Sequence, residues 1–298
     1  MTQVKRWMLL GGTGQLGQAI QVELASQRSV LEVFAPKKIN LIEFEKTFEL
    51  ITQYKPDTII NCAAWTNVRQ AELQEDEAGQ VNGWAVQNIG LAAKDCNSKV
   101  IHISTDYVFS GDSQGSYSED EALCPVNAYG RSKALGENLL RELEIQKWII
   151  LRTSWLYSKH RTNFLKTILS QYLSTKESIK IVDDQFGNPT NANDLARRII
   201  EIDSQNIPNG NYHGVNTGST SWFGLAEESF KLLGLNLERL CPIPTPESRE
   251  LNRPRNTSLE SKKWISSGMT PLRSWEESLE FEIHAIFEQV KKELEIGF

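Results

Sequence analysis

The sequence predicts an α/β fold: a doubly wound parallel sheet followed by a smaller α/β lobe. Three observations carry this. Short apolar runs alternate with helical patterns through the first half of the chain. Those runs are Val/Ile-rich and nearly continuous, as expected of strands buried on both faces. A glycine-rich turn, GGTGQLG (11–17), joins the first run to the first helical pattern.

The elements follow in order. Strands are expected over 6–10, 30–35, 58–61, 100–104 and 148–152. Helical periodicity covers 15–27, 44–54, 72–94 with a break near Gly83, and 129–143. Beyond residue 155 the alternation loosens. Helices are expected at 164–172, 193–203, 222–233 and 275–294, with a strand at 180–182 and another entered from the turn PNGNYHGVN. CPIPTPESRELNRPRN reads as an ordered loop or lid. The expected division is a Rossmann-type dinucleotide-binding domain over 1–157, completed by segments returning near 180–220, and a mainly substrate-binding lobe over 158–298.

Bulk properties narrow the function. The 298 residues carry a net charge of -6, with a sequence pI near 5.5. That argues against a broad nucleic-acid-binding surface but leaves room for small anionic ligands. The apolar run before Gly11 is too short for a signal peptide or a membrane span. Cys62, Cys96, Cys124 and Cys241 lack metal or redox spacing, and the four histidines are scattered. A cytoplasmic protein without membrane or nucleic-acid partners is expected.

Glycines at 11, 14 and 17 permit a tight turn, close approach of backbone to a pyrophosphate, and a helix N-terminus offering free N–H groups. A plain strand-to-helix turn is the alternative. The second strand ends in VFAPKKIN, without the acid that NAD-selective sites place there. Lys37 and Lys38 would balance a 2′-phosphate, favouring NADPH with NADH possible; a solvated charged loop is the other reading.

In a parallel sheet, ISTDYVF (103–109), YGRSK (129–133) and RTSWLY (152–157) meet at the carboxyl ends of the strands. Thr105, Tyr129 and Trp155 then line one cleft. Tyr129 and Lys133 are neighbours on a helix face. An ammonium ~4 Å from the phenolate is worth about 4 kcal/mol at an effective dielectric near 20. That would pull the phenol down by up to about three pKa units, toward neutrality. A surface coincidence is the alternative, made remote by the glycine turn and Ser104-Thr105 upstream.

These motifs resemble the extended short-chain dehydrogenase/reductases. Within them GGTGQLG, NCAAWTNV, STDYVFSG, YGRSKALGE, RTSWLY and RPRNTSLES together resemble the dTDP-4-dehydrorhamnose reductase family, over essentially the whole chain. The resemblance implies NAD(P)H-dependent reduction of the C4 ketone of a nucleotide sugar by a monomer or homodimer. It implies Thr105, Tyr129 and Lys133 as catalytic residues. Tyr129 would protonate the C4 oxygen, Thr105 would bond it, and Lys133 would hold the nicotinamide ribose. Cofactor contacts would come from Gly11, Gly12, Thr13, Gly14, Gln15, Leu16, Asn40, Leu41, Ala63, Ala64, Trp65 and Thr66, together with Tyr129 and Lys133. Substrate contacts would come from Thr66, Val68, Thr105, Asp106 and Trp155, and from Arg253, whose guanidinium fork suits phosphate.

Three departures stand out. Arg69 and Gln70 replace a usual Asp and Lys, Asn40 replaces a common Asp, and Ala19 occupies a position some members use for magnesium, so no metal is expected. A dehydratase on this scaffold would follow the threonine with Asp-Glu; here Asp106 is followed by Tyr107. An epimerase stays open. A non-catalytic subunit resembling the regulatory subunit of methionine adenosyltransferase would have lost the catalytic residues, and none is lost.

Overall fold

The computed structural model describes residues 5–26, 31–36, 39–205, 207–246 and 252–296. The first half runs β1 (Lys5–Leu10), α1 (Gln15–Ser26), β2 (Leu31–Phe34), α2 (Phe44–Tyr54), β3 (Thr58–Asn61), α3 (Val68–Leu73), α4 (Glu75–Gly79), a π-helical turn (Gln80–Trp84), α5 (Ala85–Cys96), β4 (Lys99–Thr105), α6 (Ala128–Glu142) and β5 (Trp148–Thr153). Then follow β6 (Leu156–Tyr157), α7 (Phe164–Ser174), β7 (Ile179–Val182), β8 (Phe186–Gly187), β9 (Thr190–Asn191), α8 (Ala192–Ser204) and β10 (Gly210–His213). The chain closes with β11 (Asn216–Thr217), β12 (Thr220–Ser221), α9 (Trp222–Leu233), β13 (Leu240–Ile243), α10 (Lys262–Ser266), β14 (Leu272–Ser274) and α11 (Trp275–Ile296).

Six strands form a parallel sheet in the order β10-β5-β4-β3-β1-β2. The period of two along each strand explains the continuous apolar runs. Trp7, Leu9, Ile60, Ile101, Ile149 and Leu151 point into a core against α1 and α8. Met8, Leu10, Ile59, Val100 and Ile150 point to the opposite face, where Ile51 of α2, Ile89 of α5 and Leu140 of α6 cover them. A third core joins α7, α9 and α11 to the β7–β13 pair.

The chain leaves β1 toward β2 on one side and returns as β3 on the other. The switch point of the sheet therefore lies between the carboxyl ends of β1 and β3, the position at which open α/β sheets bind ligands.

Two expectations need correction. The helical stretch 72–94 is four pieces, with a break at Gln74 and a π-helical turn containing Gly83. The Pro-rich stretch begins as a strand: β13 pairs with β7, Pro242 opposite Ile181, in a two-stranded sheet that tolerates a proline. Residues 247–251 of that stretch lie outside the described residues.

Candidate active site

A cleft of about 830 Å³ opens over the carboxyl ends of β1, β3, β4 and β5. At one end lies the glycine turn. Gly11 has φ 79°, and a Cβ there would meet the Ala63 nitrogen at 2.5 Å. Only glycine lets the first turn close onto the end of β3. Gly14 faces outward; the nearest atom to a Cβ there is the Gly11 carbonyl oxygen at 3.4 Å. Gln15 and Leu16 begin α1, whose first turn holds no acidic residue. Free helix N–H groups beside an open glycine suit a pyrophosphate, so the residues present fit a dinucleotide.

The cleft is lined by Gly11, Thr13, Gly14, Gln15 and Leu16 at this end, by Asn40 and Leu41 beyond β2, and by Ala63, Ala64, Thr66 and Val68 after β3. Thr105, Asp106, Tyr129, Lys133 and Trp155 line it too. Three expected residues do not. Gly12 turns away toward Ala35, its carbonyl accepting from Gln21 Nε2 at 2.7 Å. Trp65 packs with Ala71, Ala78 and Ala128. Arg253 is exposed, and its charge reaches Tyr107. Lys37 and Lys38 lie outside the described residues, so the basis of the expected NADPH preference does too. Asn40 has a local task, donating to Glu43 at the start of α2 at 2.9 Å.

The start of α6 aims the tyrosine. Asn127 caps it, accepting from the Gly130 N–H at 2.8 Å. A Cβ at Gly130 would lie 2.1 Å from the Tyr107 carbonyl oxygen, so glycine lets this turn press against the chain leaving β4. The Tyr129 ring meets Tyr107 edge-on, centroids 5.8 Å apart. Thr105 donates to Asp106 Oδ1 at 3.0 Å and accepts from the Tyr107 N–H at 3.3 Å. The other Asp106 oxygen accepts from the Thr257 hydroxyl. Burial pushes the Asp106 carboxyl up to about 6, despite these two hydroxyls.

The electrostatics correct the expectation for Tyr129. Desolvation raises its phenol above the ordinary value; a hydrogen bond with Thr105 opposes the rise, while Asp106 and Tyr107 add to it. Lys133 shares the helix face, but its Nζ runs inward to the Ile103 carbonyl at 2.7 Å and lies 3.4 Å from His102 Nε2. Burial lowers Lys133 to about 8. The i, i+4 spacing is present, but Lys133 is directed to the Ile103 carbonyl and burial sets the sign of the Tyr129 shift.

Sequence reasoning missed Glu137 and Trp222, and the distant partners of Gln15. Glu137, fully buried one turn beyond Lys133, accepts from Ser104 at 2.6 Å and from Arg152 through two nitrogens at 2.9 and 2.8 Å. This links α6 to the ends of β4 and β5. Trp222, at the start of α9, stacks on Trp155 with ring centroids 3.5 Å apart. Gln15 Oε1 accepts from Ser158 at 3.1 Å and Asn163 at 3.0 Å, tying the glycine turn to the loop before α7. The one signal that could have found Glu137 is its i+4 position after Lys133. Among the described residues no cluster of His, Cys, Asp and Glu could hold a metal ion, and no helix is long and apolar enough to cross a membrane.

Comparisons with known proteins agree with this architecture. Residues 5–287 match the profile of the RmlD substrate binding domain. The chain is 34% identical to a dTDP-4-keto-6-deoxy-D-glucose reductase of Streptomyces niveus, covering 92% of this chain and 95% of that one. It is 33% identical to the dTDP-4-dehydrorhamnose reductase of Escherichia coli K12, over 94% and 97% of the two chains. A crystal structure of dTDP-4-dehydrorhamnose reductase from Bacillus anthracis in complex with NADP superposes with a TM-score of 0.88 at 34% identity, covering 95% of this chain and 100% of that one. A cleft at the switch point, a glycine turn and a Thr–Tyr–Lys group thus occur in a chain that belongs to the dTDP-4-dehydrorhamnose reductase family.

Proposed function

We propose that the protein is an NADPH-dependent reductase that converts the C4 ketone of dTDP-4-dehydro-6-deoxy-L-mannose to the alcohol of dTDP-L-rhamnose, for rhamnose-containing polysaccharides. The observation that carries the reading is the convergence of Thr105, Tyr129 and Lys133 on one cleft, between the glycine turn and Trp155. NADPH, when bound, supplies the hydride to C4. The chain's own residues supply the rest. Tyr129 is protonated across the physiological range, because burial raises its phenol, so it is ready to give a proton to the C4 oxygen. Thr105 orients that phenol and the sugar oxygen. Lys133 holds the ribose. Asp106 and Trp155 face the sugar, and Arg253 meets the diphosphate from the rim of the cleft. Carbonyl, hydride and proton together make the alcohol.

The Streptomyces niveus relative favours a second reading, reduction of dTDP-4-keto-6-deoxy-D-glucose. Arg69 and Gln70, exposed on α3 beside Val68, give that side of the cleft a different charge from the usual family pattern. Purified protein supplied with NADPH and each keto sugar in turn distinguishes the two. Loss of reduced-cofactor absorbance with the L-mannose derivative, and dTDP-L-rhamnose as product, is the expected result. Turnover of the D-glucose derivative alone supports the second reading, and turnover of neither rejects both. We place the enzyme in the cytoplasm, acting as a monomer or homodimer without nucleic-acid or membrane partners.

A further inference from the structure

Lys133 sits at the end of a chain of hydrogen bonds whose directions are set at its far end. The Ala63 backbone N–H can only donate, and it donates to Asn61 Oδ1 at 3.1 Å. That fixes the amide, so Asn61 Nδ2 donates to His102 Nδ1, 3.1 Å away. His102 is fully buried, and burial by itself holds its pKa below the ordinary range. The ring is therefore neutral. A neutral imidazole that accepts at Nδ1 carries its proton at Nε2. That N–H points at Lys133 Nζ, 3.4 Å away. An ammonium has three donors and no acceptor. It would meet His102 donor to donor, whereas a neutral amine offers a lone pair and still donates to the Ile103 carbonyl at 2.7 Å.

The other groups around Lys133 do not restore the charge. On α6, Glu137 favours the ammonium by its charge, but that charge is shared with Ser104 and the guanidinium groups of Arg152 and Arg141, and burial of Lys133 outweighs it. After β3, the Cys62 thiol is pushed up to about 12 by burial and stays neutral. Tyr129 on α6 and Tyr107 beyond β4 are phenols raised by burial, and Asp106 is bonded by Thr105 and Thr257.

We propose that Asn61 and His102 are positioning residues that favour the neutral amine of Lys133 in the free protein at alkaline pH, so that binding of the dinucleotide there draws one proton from solvent onto Nζ. Ribose hydroxyls and phosphates favour the ammonium, and the relay opposes it; the difference appears as proton uptake. The uptake rests on the functional reading above, while the state of Lys133 in the free protein does not.

The test uses the full chain. Long-range proton–nitrogen NMR reads the tautomer of His102, and an Nε2–H ring is expected; an Nδ1–H ring overturns the proposal. Carbon NMR of labelled lysine, with Lys133→Met for assignment, should give Lys133 a midpoint of about 8. A lysine still charged through pH 10 overturns it. In Asn61→Asp, the new oxygen accepts from Nδ1–H, turns a lone pair toward Nζ and raises the Lys133 midpoint by at least a unit; an unmoved midpoint overturns the relay. The new carboxylate also raises Lys133 by its charge alone, so the His102 tautomer in this variant decides: Nδ1–H is expected, and a ring that stays Nε2–H overturns the relay. If that variant does not fold, the two wild-type measurements still decide. Calorimetry of NADPH binding at pH 9, in buffers of different ionisation enthalpy, should show close to one proton taken up, absent in Lys133→Met. Binding without uptake refutes the coupling. No NADPH binding at all refutes the functional reading and leaves the free-protein results standing.

Discussion

The two ends of the central sheet follow opposite rules. At the amino ends of the strands, buried Asp203 accepts from Trp7 Nε1 at 2.9 Å and Thr58 at 2.6 Å, and pairs with Lys5 at 2.5 Å, with Lys99 3.8 Å away. Both carboxylate oxygens are engaged, and strands β1, β3 and β4 are tied to the end of α8. At the carboxyl ends, beside the saturated Ser104–Glu137–Arg152 cluster, some polar groups of the cleft are left unsatisfied or raised. Thr153 Oγ1 is buried without a partner, Lys133 has a carbonyl and an imidazole rather than a carboxylate, and Asp106 is held near 6. Saturated polar groups stabilise; unsaturated or raised ones are available to a ligand.

The contrast can be tested from both ends. The largest effect is expected at the cleft. Tyr129→Phe should lower turnover by roughly 10²–10⁴-fold, the range of a lost general acid, and leave cofactor affinity nearly intact in a binding titration. Turnover close to wild type would remove Tyr129 as the acid. At the opposite end, Asp203→Ala removes the counterion of two lysines, one of them half-exposed, and should cost about 3 kcal/mol in chemical denaturation. Its kcat per folded molecule should hold; a parallel loss would mean the two ends are not independent.

Asp106 gives a smaller, pH-dependent effect. Its folded pKa, about 6, lies above the ordinary value of 3.8. Its contribution to stability is therefore fully present below the unfolded value and is lost as pH rises through about 6. Asp106→Asn should flatten the slope of stability against pH between those values, and an unchanged slope would assign it elsewhere. The smallest effect is expected from Trp222→Ala. Losing a stacked aromatic pair costs ~0.5–1.5 kcal/mol, so KM for the sugar should rise by up to about tenfold with kcat little changed. A kcat loss alone would place Trp222 in the chemistry rather than in holding Trp155.

Much of this architecture was legible because it is local. Residues 44–54 and 58–61 read from the sequence as the same elements the structure contains. Apolar periodicity and the stop before Pro56 carry that information along the chain. The glycine turn was equally legible, since a Cβ at Gly11 collides with the next strand to arrive. The sheet's last strand, β10, was seen only as a turn entering a strand, because its pairing with β5 is a contact between distant segments. Trp222 was invisible for the same reason: it meets Trp155 only after α9 has packed across the cleft.

The sequence by itself determined the parallel α/β order, the glycine turn, and a phenol and an amine on one helix face. It did so because these depend on spacing within single elements. The sign of the phenol's shift and the state of the amine were decided by the tertiary structure alone. Desolvation depends on everything that surrounds a group, and burial sets the sign of the Tyr129 shift. The partners of Lys133 come from β3 and β4, and the direction of their hydrogen bonds starts from one backbone N–H at Ala63.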